Sequence, residues 1–377
     1  MGSDKWEMVV PRSKRLKIGF ASNDWSRSLR DTNNKLVMGG SGHIRIGQYV
    51  PELKKLGVDC ALGILAFDNK RKLFGVHTWD KGDHFDCDVV VMQRYMHKDA
   101  LRDMKEAIKN GQIIINDVDD WYWGLSPLNA AHRLSDPKNN PNENIEHYKE
   151  MIKNSTGVIT STPFLTEKMT KWNKNCVMHQ NYVQMSTFKK RDHIRHDSGT
   201  PVVGWMGSTS HRSGDLHILR GLSSQISKMA TWHHTGHIDI VGVPKFWDEI
   251  KVEAGMVTTT PFLPPTELGK GVNFDIGLVP LTSIHFNDAK SWIKGIEYAA
   301  AGVPFVASSS AEYRRLHEEY GIGILARRDG DFPKKIKNLL DAKVRQEIAD
   351  ENYELVKQLD VTVGAKNLLA AIESFIP

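Results

Sequence analysis

FNDAKSWIKGIEYAAAGVPFVASSS, residues Phe286 to Ser310, reads as an amphipathic helix over 290–301, an Ala-Gly-Val-Pro turn and a buried strand. The spacings of Lys290, Lys294 and Glu297 bring all three side chains onto one helical face. Ala299, Ala300, Ala301 and Gly302 are small enough for close helix packing, and the apolar run through Ala307 enters a sheet core. The unit is that of an α/β sheet, with its charged helix pinned at the sheet's ligand edge.

The same alternation extends in both directions. In the second half, strands are expected at 201–206, 237–241, 274–279 and 304–307, and helices at 215–229, 290–301 and 311–319. In the first half, strand 17–22 leads through a polar stretch to Gly39-Gly40-Ser41-Gly42 and a helix over 43–57. Strands 58–65, 88–92, 112–116 and 157–161 follow, with helices at 99–110 and 145–154. Near-continuous apolar strands between amphipathic helices predict parallel sheets covered on both faces. Segment 186–200, STFKKRDHIRHDSGT, breaks the rhythm with charge and no apolar face. It reads as a linker between a first domain, 1–185, and a second, 201–360. Residues 361–377 are expected to form a helix returning to the first domain. Two such α/β domains leave a cleft at the carboxyl ends of their strands, where ligands of open sheets bind.

The chain has 377 residues, 40% hydrophobic and 25% charged, which is the composition of a folded globular protein. No run reaches the roughly 18 apolar residues of a membrane span, and the Met1 end lacks the apolar core of a secretory signal, so a cytoplasmic protein is expected. Cys60, Cys87 and Cys176 lie far apart and support neither a disulfide framework nor a cysteine zinc cluster. Net charge is +5, with about 27 basic and 22 acidic residues up to Gln180 and about 23 of each beyond. The positive excess makes the first half the better candidate to meet an anionic partner.

The stretch Ile296-Glu297-Tyr298-Ala299-Ala300-Ala301-Gly302-Val303-Pro304-Phe305-Val306-Ala307-Ser308 resembles the donor signature of nucleotide-sugar-dependent glycosyltransferases of GT-B architecture, especially the retaining group. The resemblance implies that Glu297 binds the ribose hydroxyls of a nucleotide. The family's other glutamate, eight positions earlier, is Ala289 in this chain. Its neighbours Lys290 and Asp288 become the candidates for the donor's diphosphate and for a sugar hydroxyl. Val202 to Arg212, VVGWMGSTSHR, looks like the family's phosphate loop, with Gly207, Ser208, Thr209 and Arg212 suited to an anion. Phe262 and Leu263 resemble the loop that cradles the base. Gly40 and Ser41 resemble the glycine loop that meets the donor from across the cleft.

Asn116 to Trp123, NDVDDWYW, follows an apolar strand of the first half and sets acids and aromatics at its carboxyl end. Asp119 and Asp120 are candidates for acceptor binding or general-base work. Trp121, Tyr122 and Trp123 are candidates for stacking on a sugar or a base, with Arg94 on the same edge and His97 a second candidate base. No zinc-protease spacing, nucleophile elbow, P-loop or dinucleotide fingerprint is present.

The expectation is a metal-independent glycosyltransferase that takes a nucleoside-diphosphate sugar, a UDP-sugar by preference, and holds no permanent cofactor. A hydroxymethylated base in DNA, a glycan, a lipid-linked hydroxyl or a protein hydroxyl would serve as acceptor. A non-catalytic module binding sugar nucleotides or nucleic acid, and a GT-B nucleotide-sugar epimerase, are the alternatives.

Overall fold

The computed structural model describes residues 16–30, 34, 36–125, 132, 142–195, 199–207, 214–226, 228–238 and 245–377. Two large sheets follow from the two series of apolar runs. The first has eight strands in the spatial order Cys176–Met178, Gly157–Thr160, Ile113–Val118, Val89–Gln93, Ile18–Ser22, Cys60–Asp68, Leu73–Thr78 and His84–Asp86. Val89–Gln93 is buried at every position, as a strand covered on both faces must be. Burial of each such valine side chain contributes roughly 1.5–3 kcal/mol.

Pairing is parallel from Cys176–Met178 through Cys60–Asp68 and antiparallel for the last two strands. This edge adds two antiparallel strands, Leu73–Thr78 and His84–Asp86, to the expected parallel sheet. The cause is local: the Asp68 carboxylate accepts the backbone N–H groups of Lys70 at 2.8 Å and Arg71 at 3.0 Å. The turn so formed is too short for the crossover that a parallel neighbour needs.

The second sheet, ordered Val257–Pro261, Thr231–Gly236, Val202–Gly207, Ile276–Val279, Phe305–Ser308 and Ile324–Ala326, is parallel throughout. Its second strand lies at Thr231–Gly236, and Val257–Pro261 forms a strand that the apolar runs did not indicate; of the strand expected at 237–241, His237 and Ile238 are in no strand and 239–241 lie outside the described residues. Both strands are polar, and His233, His234 and Thr235 are nonetheless buried. Partners distant in sequence satisfy His233 and Thr235: His233 Nδ1 lies 2.7 Å from Thr258 Oγ1, and the Thr235 hydroxyl donates to the Gly271 carbonyl at 2.5 Å.

Three expected helices are divided. Residues 43–57 form a π-helical turn, His43–Gly47, and a helix, Tyr49–Lys55. Pro51 lacks the N–H that would bond the Gly47 carbonyl, and the Gln48 side-chain amide bonds the Ile44 carbonyl at 2.8 Å. Segment 215–229 begins as a 3₁₀ turn, Asp215–Leu219, before helix Arg220–Ile226. Segment 290–301 is a helix only over Ile293–Ala300, preceded by the short helix His285–Asp288. Lys290 therefore lies in the intervening turn, off the helical face first assigned to it. Asn287 Nδ2 donates to Asp215 Oδ1 at 2.7 Å and Trp292 Nε1 to the Asn181 carbonyl at 3.0 Å, which fixes this turn from both sides.

The chain passes between the lobes carrying the two sheets in two places. Val183 and Asp360 form a parallel bridge, in which Val183 N–H donates to Leu359 and Val361 N–H to Val183, both at 2.9 Å. Helix Val361–Glu373 packs on Tyr49–Lys55 of the first lobe. Phe375 then lies so close to Gly157 that a Cβ there would stand 2.3 Å from its ring. The other passage is anchored to the second lobe, where Arg191 Nε donates to Asp275 Oδ1 at 2.7 Å and Arg191 N–H to the Ala301 carbonyl at 2.9 Å. Among the described residues no helix is long and apolar enough to cross a membrane.

Candidate active site between the two sheets

Residues at the carboxyl ends of strands from both sheets line one cavity of about 250 Å³. Its first-lobe wall is built on the glycine turn and on the loop after Ile113–Val118. Gly39 N–H donates to the Asp24 carbonyl at 2.8 Å and Gly42 N–H to Asp24 Oδ2 at 3.0 Å, which sets Gly40 and Ser41 at the cavity edge. Arg94, held in the left-handed region at φ 61°, pairs with Asp24 at 3.3 Å. Its guanidinium lies 5.7 Å from the centre of the Tyr122 ring, and the Tyr122 hydroxyl donates to Asp119 Oδ1 at 2.9 Å. Burial works to raise the Asp119 carboxyl, but the Arg94 charge and the Ser41 and Tyr122 hydroxyls outweigh it and hold the group below the usual carboxylate range.

Beneath this wall, Arg45 and Asp117 form an ion pair at 2.7 Å with both side chains 1% exposed. Arg45 Nη1 also donates to the His179 carbonyl and to Asn181 Oδ1, each at 2.7 Å. Asn181 Nδ2 reaches across to Ser291 Oγ at 2.6 Å. The network therefore runs from the first-lobe core to the turn that carries Lys290.

The second-lobe wall begins at Gly207, which ends Val202–Gly207, and Gly236, which ends the neighbouring strand. A Cβ on Gly236, at φ 147°, would stand 2.0 Å from the Gly207 carbonyl oxygen, so only glycine fits there. Ser208, Thr209 and Arg212 lie outside the described residues. Phe262 and Leu263 line the same end of the cavity, and the His237 ring stacks on Phe262 at 4.5 Å. Glu297, 6% exposed, and half-buried Lys294 stand on the wall one helical turn apart. Burial pushes the Glu297 carboxyl up and the Lys294 ammonium down, each only partly offset by the other's charge.

Asp120 and Lys290 join the walls. Lys290 Nζ donates to both Asp120 oxygens, at 2.9 and 3.2 Å, with each side chain 18% exposed. Burial raises the Asp120 carboxyl against the pull of Lys290.

The cavity thus brings together Gly40, Ser41, Asp119, Asp120, Gly207, Phe262, Leu263, Lys290, Lys294 and Glu297 from the sequence reading. It does not bring in the others that are described. Asp288 is turned to solvent beside His285, at 3.3 Å. His97 is exposed, 3.5 Å from Asn23 Nδ2. Trp121, Tyr122 and Trp123 do not line the cavity because their rings pack into an internal aromatic cluster with Phe164, Trp172 and Tyr148. Arg94 acts one layer behind, on Asp24 and Asp119.

Arg45, Asn181 and Ser291 were not anticipated. An arginine between Ile44 and Ile46 on an apolar helix face was the visible signal for the first. Among the described residues no group of three or more His, Cys, Asp or Glu side chains is placed to hold a metal ion.

No protein-family model and no curated protein matches the chain. Solved structures do. Sucrose-phosphate synthase from Thermosynechococcus elongatus aligns with a TM-score of 0.62 at 13% identity, over 94% of this chain and 97% of that one. Anabaena HepE in complex with UDP-glucose aligns with a TM-score of 0.62 at 14% identity, over 94% and 98%. A glycosyltransferase from Rickettsia africae gives 0.61 at 12% identity, over 96% and 98%. With these structures the chain shares a whole architecture, and its fold is GT-B: two Rossmann-like lobes facing one another over the cavity that Asp120 and Lys290 bridge.

Proposed function

We propose that this protein is a glycosyltransferase that moves a sugar from a UDP-sugar to an acceptor hydroxyl. One observation carries the reading: Glu297, Lys294 and Lys290 stand together on one wall of a cavity whose other wall offers the Gly40-Ser41 turn and two carboxylates. Glu297 takes the ribose diol through two charge-assisted hydrogen bonds. Lys290 and Lys294 stabilise the charge that grows on the diphosphate as the anomeric C–O bond breaks, the kind of electrostatic term that dominates such reactions. The bond electrons leave with the diphosphate, and the acceptor oxygen bonds to the anomeric carbon and gives up its proton to the departing diphosphate oxygen. Phe262 and Leu263 form the apolar wall for the base. That Anabaena HepE was solved with UDP-glucose supports the choice of nucleotide, and the stretch from Ile296 to Ser308 supports retention of configuration.

The acceptor enters over the first lobe. A hydroxymethylated base in DNA draws support from the positive excess there, but it loses the stacking platform, because Trp121 packs on Trp123, and Tyr122 and Trp123 both pack on Tyr148. A glycan, lipid-linked or protein hydroxyl needs neither. Calorimetry with UDP, GDP, ADP and dTDP, each with a matching sugar nucleotide, tests the donor. Binding of UDP and UDP-glucose supports the reading, and binding of none of the set overturns it. Loss of sugar from the bound nucleotide in the presence of acceptor separates a transferase from a binding module, and a new sugar nucleotide formed without acceptor would indicate an epimerase.

A further inference from the structure

The ion pair between Lys290 and Asp120 links residues 170 positions apart and spans the cavity between the lobes. The two neighbouring carboxylates differ in what holds them. Asp119 is held within its own lobe by Tyr122, Ser41 and Arg94. Among the described residues Lys290 is the only hydrogen-bond partner of the Asp120 carboxylate. Lys290 has a second seat, since its ammonium lies 4.3 Å from the centre of the Phe286 ring on its own lobe. The ammonium thus keeps a favourable site when the carboxylate is withdrawn.

At about 250 Å³ the cavity is smaller than the roughly 300–1,000 Å³ of ordinary ligand pockets. A donor that enters this cavity meets the ion pair lying across its way. A diphosphate that claims Lys290 leaves a shielded carboxylate without its cation and close to new negative charge, which is costly. A sugar bonded to that diphosphate brings hydroxyl donors to the same place.

We propose that Lys290 and Asp120 are an exchange pair: the donor's diphosphate takes the ammonium from the carboxylate, and the carboxylate then takes a hydroxyl of the donor's sugar. The assignment rests on the nucleotide-sugar reading of the cleft. It makes Asp120 the residue that distinguishes a nucleotide sugar from the bare nucleotide, so that the diphosphate product is held less firmly than the substrate.

Calorimetric titration of the full chain with UDP and with UDP-glucose tests this, using wild type, Asp120→Asn, Lys290→Gln and the double variant. Asp120→Asn removes both the competitor and the repulsion, so UDP binds on the order of tenfold tighter, while UDP-glucose gains nothing. Lys290→Gln weakens both ligands, and in its background the Asp120→Asn gain for UDP shrinks to the part that relief of repulsion supplies. A folded Asp120→Asn protein with wild-type or weaker UDP affinity overturns the exchange. Should that variant fail to fold, wild-type UDP affinity in folded Lys290→Gln overturns it equally. Wild type that binds neither ligand overturns the UDP-sugar reading and the exchange with it, whereas wild type that binds both beside an unresponsive Asp120→Asn overturns the exchange alone.

Discussion

The two walls of the cleft are finished to different degrees. On the first-lobe wall every charged group described except Asp120 has its partner at home: Asp24 with Arg94, Asp119 with Tyr122, and Arg45 with Asp117. On the second-lobe wall, Glu297 and Lys294 are shielded from solvent, and among the described residues neither side chain makes a hydrogen bond. One wall is satisfied by the fold, and the other holds charge that a ligand would satisfy. Substitutions should therefore separate stability from binding according to the wall they touch.

The largest effect is expected on the finished wall. Arg45→Met strands Asp117 in the core and should cost about 3–5 kcal/mol, read as a large fall in melting temperature. A melting temperature equal to wild type would show that the pair is dispensable. On the other wall Glu297→Gln should weaken UDP about ten- to a hundredfold through loss of charge-assisted bonds, with no loss of stability. Destabilisation without loss of affinity would reverse the comparison.

A pH series sharpens it further. The Glu297 carboxyl in the fold is raised from 4.5 to about 7, so the folded state keeps its proton longer than the unfolded chain and stability falls as pH rises between those values. The Lys294 ammonium is lowered from 10.5 to about 8, so the unfolded chain holds more protons in that interval and stability recovers as pH climbs through it. The ligand-free protein should thus show a minimum of stability between about pH 7 and 8, with the acid-side fall on the order of 3 kcal/mol. Glu297→Gln should flatten that fall, and an unchanged profile in the variant would remove the assignment. The smallest effect is that of His97→Ala, which lies outside the cavity and should change melting and UDP affinity by under about 0.5 kcal/mol.

How much of this could be read in the sequence depends on how local each determinant is. Glu297 was legible because the helix that carries it and the Ala-Gly-Val-Pro turn after it are contiguous. The position of Lys290 was not, since the helix stops at a turn held by Asp215 and Asn181, 72 and 111 residues away from the side chains they bind. Strand Thr231–Gly236 escaped for the same reason: its His233 and Thr235 side chains are satisfied by Thr258 and Gly271, and a strand so composed shows no apolar run. The aromatic run at Trp121 looked like a platform because sequence shows which rings are near one another but not that Phe164 and Trp172 come to meet them.

The paired crossings at Val183 and Asp360 bear on how the molecule can move. Two tethers lying side by side and bonded to one another resist shear and rotation about the long axis, while they leave bending about the line through them comparatively free. The lobes are thus joined as a door is by two hinge pins, and any opening of the cavity becomes a swing along one coordinate that returns the same faces to register each time.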